Sequence, residues 1–138
     1  MKEKVAVSAC LLGVNSKYDG GCNLRKDILN ELKDKIVYVI CPEVFSKMPI
    51  PRDPSEIKGD RVVNINGVDV TLYFINGANA TLSFLRDKGI KKIYLKDGSP
   101  SCGVSYTYDG TFTHTKEIKM GYTAKLLKEK GYELIAVK

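Results

Sequence analysis

Val5-Ala6-Val7-Ser8-Ala9-Cys10-Leu11-Leu12-Gly13 begins as a β-branched, apolar run and ends in turn chemistry, with a cysteine at the junction. Two later stretches repeat the pattern. They are Ile36-Val37-Tyr38-Val39-Ile40-Cys41-Pro42-Glu43, and Ile93-Tyr94-Leu95-Lys96 followed by Asp97-Gly98-Ser99-Pro100-Ser101-Cys102-Gly103. Runs that are apolar at consecutive positions read as strands buried on both faces, the mark of a parallel sheet. If these strands are parallel, all three thiols lie beyond the carboxyl edge of one sheet, where open α/β folds bind ligands.

The segments between them agree with that arrangement. Tyr18-Asp19-Gly20-Gly21 is a turn, and Asn23 is placed to cap a helix over about residues 24–35, with Ile28, Leu29 and Leu32 on one face. The stretch 42–56 holds Pro42, Pro49, Pro51 and Pro54, which predicts a stiff loop without regular helix or central strand. Arg61 to Thr71 carries Asn66-Gly67 between alternating flanks and predicts a hairpin outside the main sheet. A helix from about Thr71 to Lys88 follows, closed by Gly89, with Leu72, Ile75, Leu82 and Leu85 at helical spacing. Gly77 weakens its middle and permits close packing. Asp109-Gly110 predicts a small hairpin between 104–108 and 111–113, then a helix from Tyr122 to Lys130 and a last strand, 133–137. The expected fold is α/β, a mainly parallel sheet of about four strands flanked by helices, with an inserted β-hairpin. At 138 residues, the chain (1–138) reads as a single domain.

Composition adds bounds. No apolar run approaches a membrane span and no signal-peptide core follows Met1, so a cytoplasmic protein is expected. In a reducing compartment, four cysteines are more often free, catalytic or metal-bound than disulfide-paired. The net charge of +6 comes from scattered lysines without a dense basic stripe, which disfavours a nucleic-acid partner.

Cys10, Cys41 and Cys102 are separated by 30 and 60 intervening residues, so no CxxC motif for a zinc ribbon, thioredoxin or ferredoxin exists. Converging soft thiolates without histidine partners favour an iron–sulfur cluster over catalytic zinc. The plain alternative is three small buried hydrophobes at strand ends. Cys22 has no partner in this pattern, and His114 lies in a polar stretch that faces solvent. Glu43 stands two residues past Cys41 and suits acid–base work; its alternative is a carboxylate paired with Arg52 or a lysine. Arg52, on the stiff loop, and Asp19 are candidates for reading a ligand's polar edge. Ser99 and Ser101 flank Pro100 just before Cys102 and are candidates for bonding cluster sulfurs or orienting a water; the alternative is plain turn serines.

Taken together, Ser8-Ala9-Cys10-Leu11-Leu12-Gly13, Tyr18-Asp19-Gly20, Cys41-Pro42-Glu43, Pro51-Arg52, Gly77-Ala78, Ser99-Pro100-Ser101-Cys102-Gly103 and Thr123-Ala124-x-Leu126-Leu127 resemble the DUF523 family. The match runs in order across nearly the whole chain, and members of that family include the thiouracil desulfurases. The resemblance implies a [4Fe–4S] cluster on three cysteines that removes sulfur from thiolated uracil, releasing hydrosulfide without net redox chemistry. On that basis Cys10, Cys41 and Cys102 are the expected metal ligands, and Glu43 and Ser101 the expected catalytic residues. Arg52, Asp19, Ser8 and Ser99 are the expected substrate contacts. A cluster with an open iron is easily lost in air. The implied partners are a small thiolated pyrimidine and cluster-assembly machinery, with no membrane. The rival expectation is a non-catalytic iron–sulfur or thiol-based sensor, in which Glu43 and the Arg52 loop serve no ligand.

Overall fold

A computed structural model describes residues 2–13 and 17–138. Strand β1 (Lys4–Ser8) leads through a 3-10 turn (Ala9–Leu12) to helix α1 (Lys26–Glu31) and strand β2 (Ile36–Ile40). After α2 (Pro42–Phe45) come the paired strands β3 (Ser55–Lys58) and β4 (Arg61–Asn64), then α3 (Thr71–Lys88) and β5 (Lys92–Lys96). The chain ends with β6 (Thr107–Tyr108), β7 (Lys116–Glu117), α4 (Tyr122–Glu129) and β8 (Glu133–Val137). β1, β2, β5 and β8 form one parallel sheet in the order β2-β1-β5-β8. The mixed α/β architecture and the separate antiparallel pair agree with expectation.

Burial explains the order. Residues 5–8 of β1 are all buried, because the strand is central and covered on both faces. Val5 and Val7 point to the face where Ile28 and Leu32, from α1 and its end, pack with Tyr94. Ala6, Ile93 and Leu95 point to the other, under Leu82 and Leu85 of α3 and Ala124 and Leu127 of α4. This period-2 division puts one helix on one face and two on the other. The path leaves β1 for β2 on one side and returns to β5 on the other, so the switch point lies at the carboxyl ends of β1 and β5. Among the described residues, no helix is long and apolar enough to cross a membrane.

Four local expectations need correction. The first helix covers only Lys26–Glu31, Leu29 is exposed, and Asn23 is not its cap. The proline-rich stretch does contain a helical turn, α2, because Pro42 occupies its first position, where the missing N–H costs nothing. Asn66-Gly67 makes a tight turn, but β4 pairs chiefly with β3 around Gly59. Only a Val63–Asp69 bridge extends the expected hairpin, because Asp69 turns away to accept the Thr71 N–H and hydroxyl at 2.9 and 2.6 Å where α3 begins. Likewise β6 pairs with β7 across a longer loop than Asp109-Gly110 alone predicts.

Helix α3 runs to Lys88 and closes at Gly89, whose φ of +67° suits glycine. Its buried stripe is Phe74, Gly77, Ala78, Thr81, Leu82 and Leu85. Leu72 is 69% exposed and Ile75 also faces outward. Gly77 is an obligatory close approach: a Cβ there would lie 2.3 Å from the Pro42 carbonyl oxygen. Gly77→Ala should therefore displace the Cys41-Pro42-Glu43 turn. Since overpacking of this kind costs about 1–3 kcal/mol, thermal melting should fall by several degrees, with loss of any metal bound at Cys41. A Gly77→Ala protein with unchanged melting and metal content would show that α2 is not held against α3.

Candidate functional site

Each cysteine is held by a different local device. Cys10 lies in the 3-10 turn, where its carbonyl accepts the Asn23 N–H at 2.8 Å and its Sγ accepts from Asn23 Nδ2 at 3.6 Å. Cys41 immediately precedes the first turn of α2, beside the Gly77 contact. Ser8 and Ile40 are register partners at the ends of β1 and β2, which starts both cysteine turns at one level.

Cys102 lies on a longer loop that needs more bracing. Ser99 Oγ accepts the N–H groups of Ser101 and Cys102 at 3.0 and 3.1 Å. Asp97 Oδ1 accepts the N–H groups of Val104 and Ser105 at 2.8 and 2.9 Å. In the first turn of α4 the Tyr122 N–H ends on the Pro100 carbonyl at 2.9 Å and those of Thr123 and Ala124 on the Ser101 carbonyl at 3.0 and 3.2 Å. Burial pushes the Asp97 carboxyl up, but the N–H groups of Ser105, Val104 and Tyr106 outweigh it and hold the pKa below its ordinary value.

The three cysteines line one cavity of about 510 Å³, within the range of small-molecule sites. Ser8, Glu43 and Ser99 line it too, while Cys22 does not. Burial pushes the Cys102 thiol well up, and the charges of Cys41, Glu43 and Cys10 push it further, against a hydrogen bond from Ser8. Burial also raises Cys10, opposed by the Asn23 amide and by Lys96 and Lys17. Negative charge on these three sulfurs together is mutually unfavourable, which a cationic group among them would offset. No three His, Cys, Asp or Glu side chains among the described residues are grouped to hold a single metal ion.

Glu43 is in the first turn of α2 and takes the Arg52 guanidinium on Oε2 at 2.8 Å. The Arg52 side chain is only 4% exposed and also donates to the Pro49 carbonyl at 3.2 Å. Arg52 thus stands behind Glu43 and is not among the cavity-lining residues. Two other candidates lie off the wall. Asp19 is exposed and accepts the Gly21 N–H at 2.8 Å, and the Ser101 hydroxyl is buried without a hydrogen-bond partner among the described residues. The turn geometry explains the placement of the two serines: Ser99 faces its own loop's N–H groups, whereas Ser101 turns into the protein under α4.

The cavity lining also includes residues that sequence patterns did not single out for the site. Lys17, Asn23, Lys96, Tyr108 and Phe112 line it together with the cysteines. His114 is exposed but also lines the cavity, its ring edge-on to Tyr108 with centroids 6.2 Å apart. Lys96, as the last residue of an apolar strand, carried a positional signal. The aromatic wall carried none, because it depends on the course of the 109–115 loop.

Comparison with known proteins now adds to the geometry. The chain is 34% identical over 142 residues to the uncharacterized protein YbbK of Bacillus subtilis (strain 168), covering 96% of this chain and 94% of YbbK. Its fold is similar to the solved structure of the [4Fe-4S]-dependent thiouracil desulfidase TudS (DUF523Vcz). That match has a TM-score of 0.87 and 38% identity, covering 98% of this chain and 91% of TudS. With residues 5–138 matching the family model for 2-thiouracil desulfurase, the chain belongs to the 2-thiouracil desulfurase family.

Proposed function

We propose that the protein is an enzyme that removes sulfur from a thiolated uracil, giving uracil and hydrosulfide, and that it does so with an iron–sulfur cluster held by Cys10, Cys41 and Cys102. The observation that carries this is the shared cavity: three thiols from three strand ends, with a braced carboxylate beside them. Three soft sulfur donors on one cavity, with His114 as the one histidine on its lining, fit a [4Fe–4S] group better than a catalytic zinc. When bound, such a cluster supplies a Lewis-acidic iron that polarises a carbon–sulfur bond.

The chain's own residues supply the rest. Glu43 takes a proton from the attacking water at its carboxylate, and Arg52 fixes that carboxylate's direction without meeting the substrate. Tyr108 and Phe112, on the lining of the same cavity, give a planar ring an apolar surface. Ser99 positions Cys102 by holding its N–H, and Ser8 supplies a hydroxyl to the Cys102 sulfur. Arg52 is a positioning residue in this proposal, and Asp19 and Ser101, which lie off the cavity lining, are given no contact with substrate.

Protein reconstituted with iron and sulfide without oxygen should convert 2-thiouracil to uracil, followed by loss of the thiocarbonyl absorbance. Iron-loaded protein that leaves 2-thiouracil untouched would move the function to the sensor class.

A further inference from the structure

Part of the aromatic lining of the cavity is carried by a loop, 109–115, that is held from a distant part of the chain. Glu56 lies on β3, where Ile57 packs with Val62 and Phe74 while Glu56, on the other face of the strand, lines the cavity. Its Oε1 accepts the N–H groups of Gly110 and Phe112 at 3.0 and 3.1 Å. The loop also has local hydrogen bonds. Asp109 Oδ1 accepts the Thr111 N–H and hydroxyl at 3.0 and 2.6 Å, and the Asp109 N–H donates to the Thr115 carbonyl at 3.1 Å. Among the described residues, Glu56 is the hydrogen-bond tie between this loop and the β3–β4 pair.

The loop's backbone is not one it would keep unaided. Phe112 and His114 have φ of +59° and +60°, which residues other than glycine seldom adopt and hold only where neighbours fix them. Gly110 sits so close to β3 that a Cβ there would lie 2.7 Å from Lys58 Cβ and 3.0 Å from its Cα. This close approach and the two bonds to Glu56 seat the loop on β3, with Phe112 and His114 on the cavity lining.

We propose, on the desulfurase reading above, that Glu56 is a positioning residue for substrate. By holding the Gly110 and Phe112 N–H groups it fixes the loop so that Phe112 meets the pyrimidine ring, and it thereby sets substrate affinity without entering the chemistry. A surface arranged in advance spares the cost of ordering the loop when the ring binds.

Three variants test this. Glu56→Ala removes the acceptor, and Glu56→Gln keeps an amide oxygen for both N–H groups. Gly110→Ala lifts the loop from β3 and leaves the carboxylate in place. The first readout needs no turnover: hydrogen exchange, by mass spectrometry, of protein purified without oxygen. Exchange across 108–116 should quicken about tenfold in Glu56→Ala and Gly110→Ala, the weight of one lost hydrogen bond to a carboxylate, and stay near wild type in Glu56→Gln. Exchange in α3 should not change. In iron-loaded protein well below its melting temperature, KM for 2-thiouracil should rise about tenfold in Glu56→Ala and Gly110→Ala, within the usual worth of a base stacked on an aromatic side chain. Their kcat should stay within about twofold of wild type, and Glu56→Gln should restore KM.

Unchanged exchange across 108–116 in Glu56→Ala would overturn the brace, and an unchanged KM there would overturn its role in affinity. A raised KM in both Glu56 variants, with a wild-type KM in Gly110→Ala, would overturn positioning and set the carboxylate itself against substrate. If wild-type protein desulfurates nothing, the desulfurase reading fails, while faster 108–116 exchange in Glu56→Ala still supports the brace.

Discussion

Replacing Cys10, Cys41 or Cys102 with alanine is expected to abolish cluster binding, and Cys22→Ala to leave it intact. Wild-type chain purified without oxygen should be brown and carry close to one cubane cluster per chain. A cluster left with two protein thiolates loses its anchor, and nothing else on the cavity wall offers a soft donor. Each of the three sulfurs is carried by a separately braced turn, so a neighbouring cysteine cannot substitute without dismantling that bracing. Cys22 lies off the cavity wall, which makes it the internal control. Iron per chain and the visible charge-transfer absorbance check the set. Equal iron loss in Cys22→Ala would mean that a different ligand set holds the metal.

Glu43→Gln should separate holding the cluster from using it. The amide oxygen can still accept from Arg52 at the position where Oε2 now lies, so the α2 turn has a partner and iron content should stay at the wild-type level. What disappears is the group that takes and returns a proton. The expected result is a fall in kcat on the order of 10²–10⁴-fold, with KM for 2-thiouracil little changed. If Glu43 only braces its loop, the variant should instead lose stability and keep its turnover at saturation. Side-chain truncation to alanine is less informative, because it also removes the ion pair with the buried Arg52 and so mixes lost stability with lost proton transfer.

Much of the platform was legible because its signals are local. Val5-Ala6-Val7 and Ile93-Tyr94-Leu95 are apolar at every position, which only a strand covered on both faces explains, and they occupy the middle of the sheet. The convergence of the three thiols followed from parallel strands sharing one carboxyl edge. The errors lie where two local signals compete. Pro42 reads as a helix breaker in a proline-rich stretch, yet at a first helical position it is compatible with α2. Asn66-Gly67 specifies a turn but cannot say that Asp69 will leave the strand to start α3.

Side-chain roles were least legible where they depend on contacts distant in sequence. Ser99 and Ser101 flank one proline symmetrically, and only the packing of α4 against the loop turns Ser101 inward. The Arg52–Glu43 contact stood in the sequence as one of two alternatives, and the structure realises it at 2.8 Å. Lys17 and Lys96, far apart in sequence, come to line one cavity with Cys10 only through folding.

The origin of the oxygen in the product tests the central account most directly. Iron-loaded protein turning over 2-thiouracil in ¹⁸O-labelled water, with no added oxidant or reductant, should yield uracil carrying one label and hydrosulfide in equal amount. Unlabelled uracil, a requirement for a reductant, or sulfide released without uracil would contradict hydrolytic desulfuration at the three-cysteine cavity.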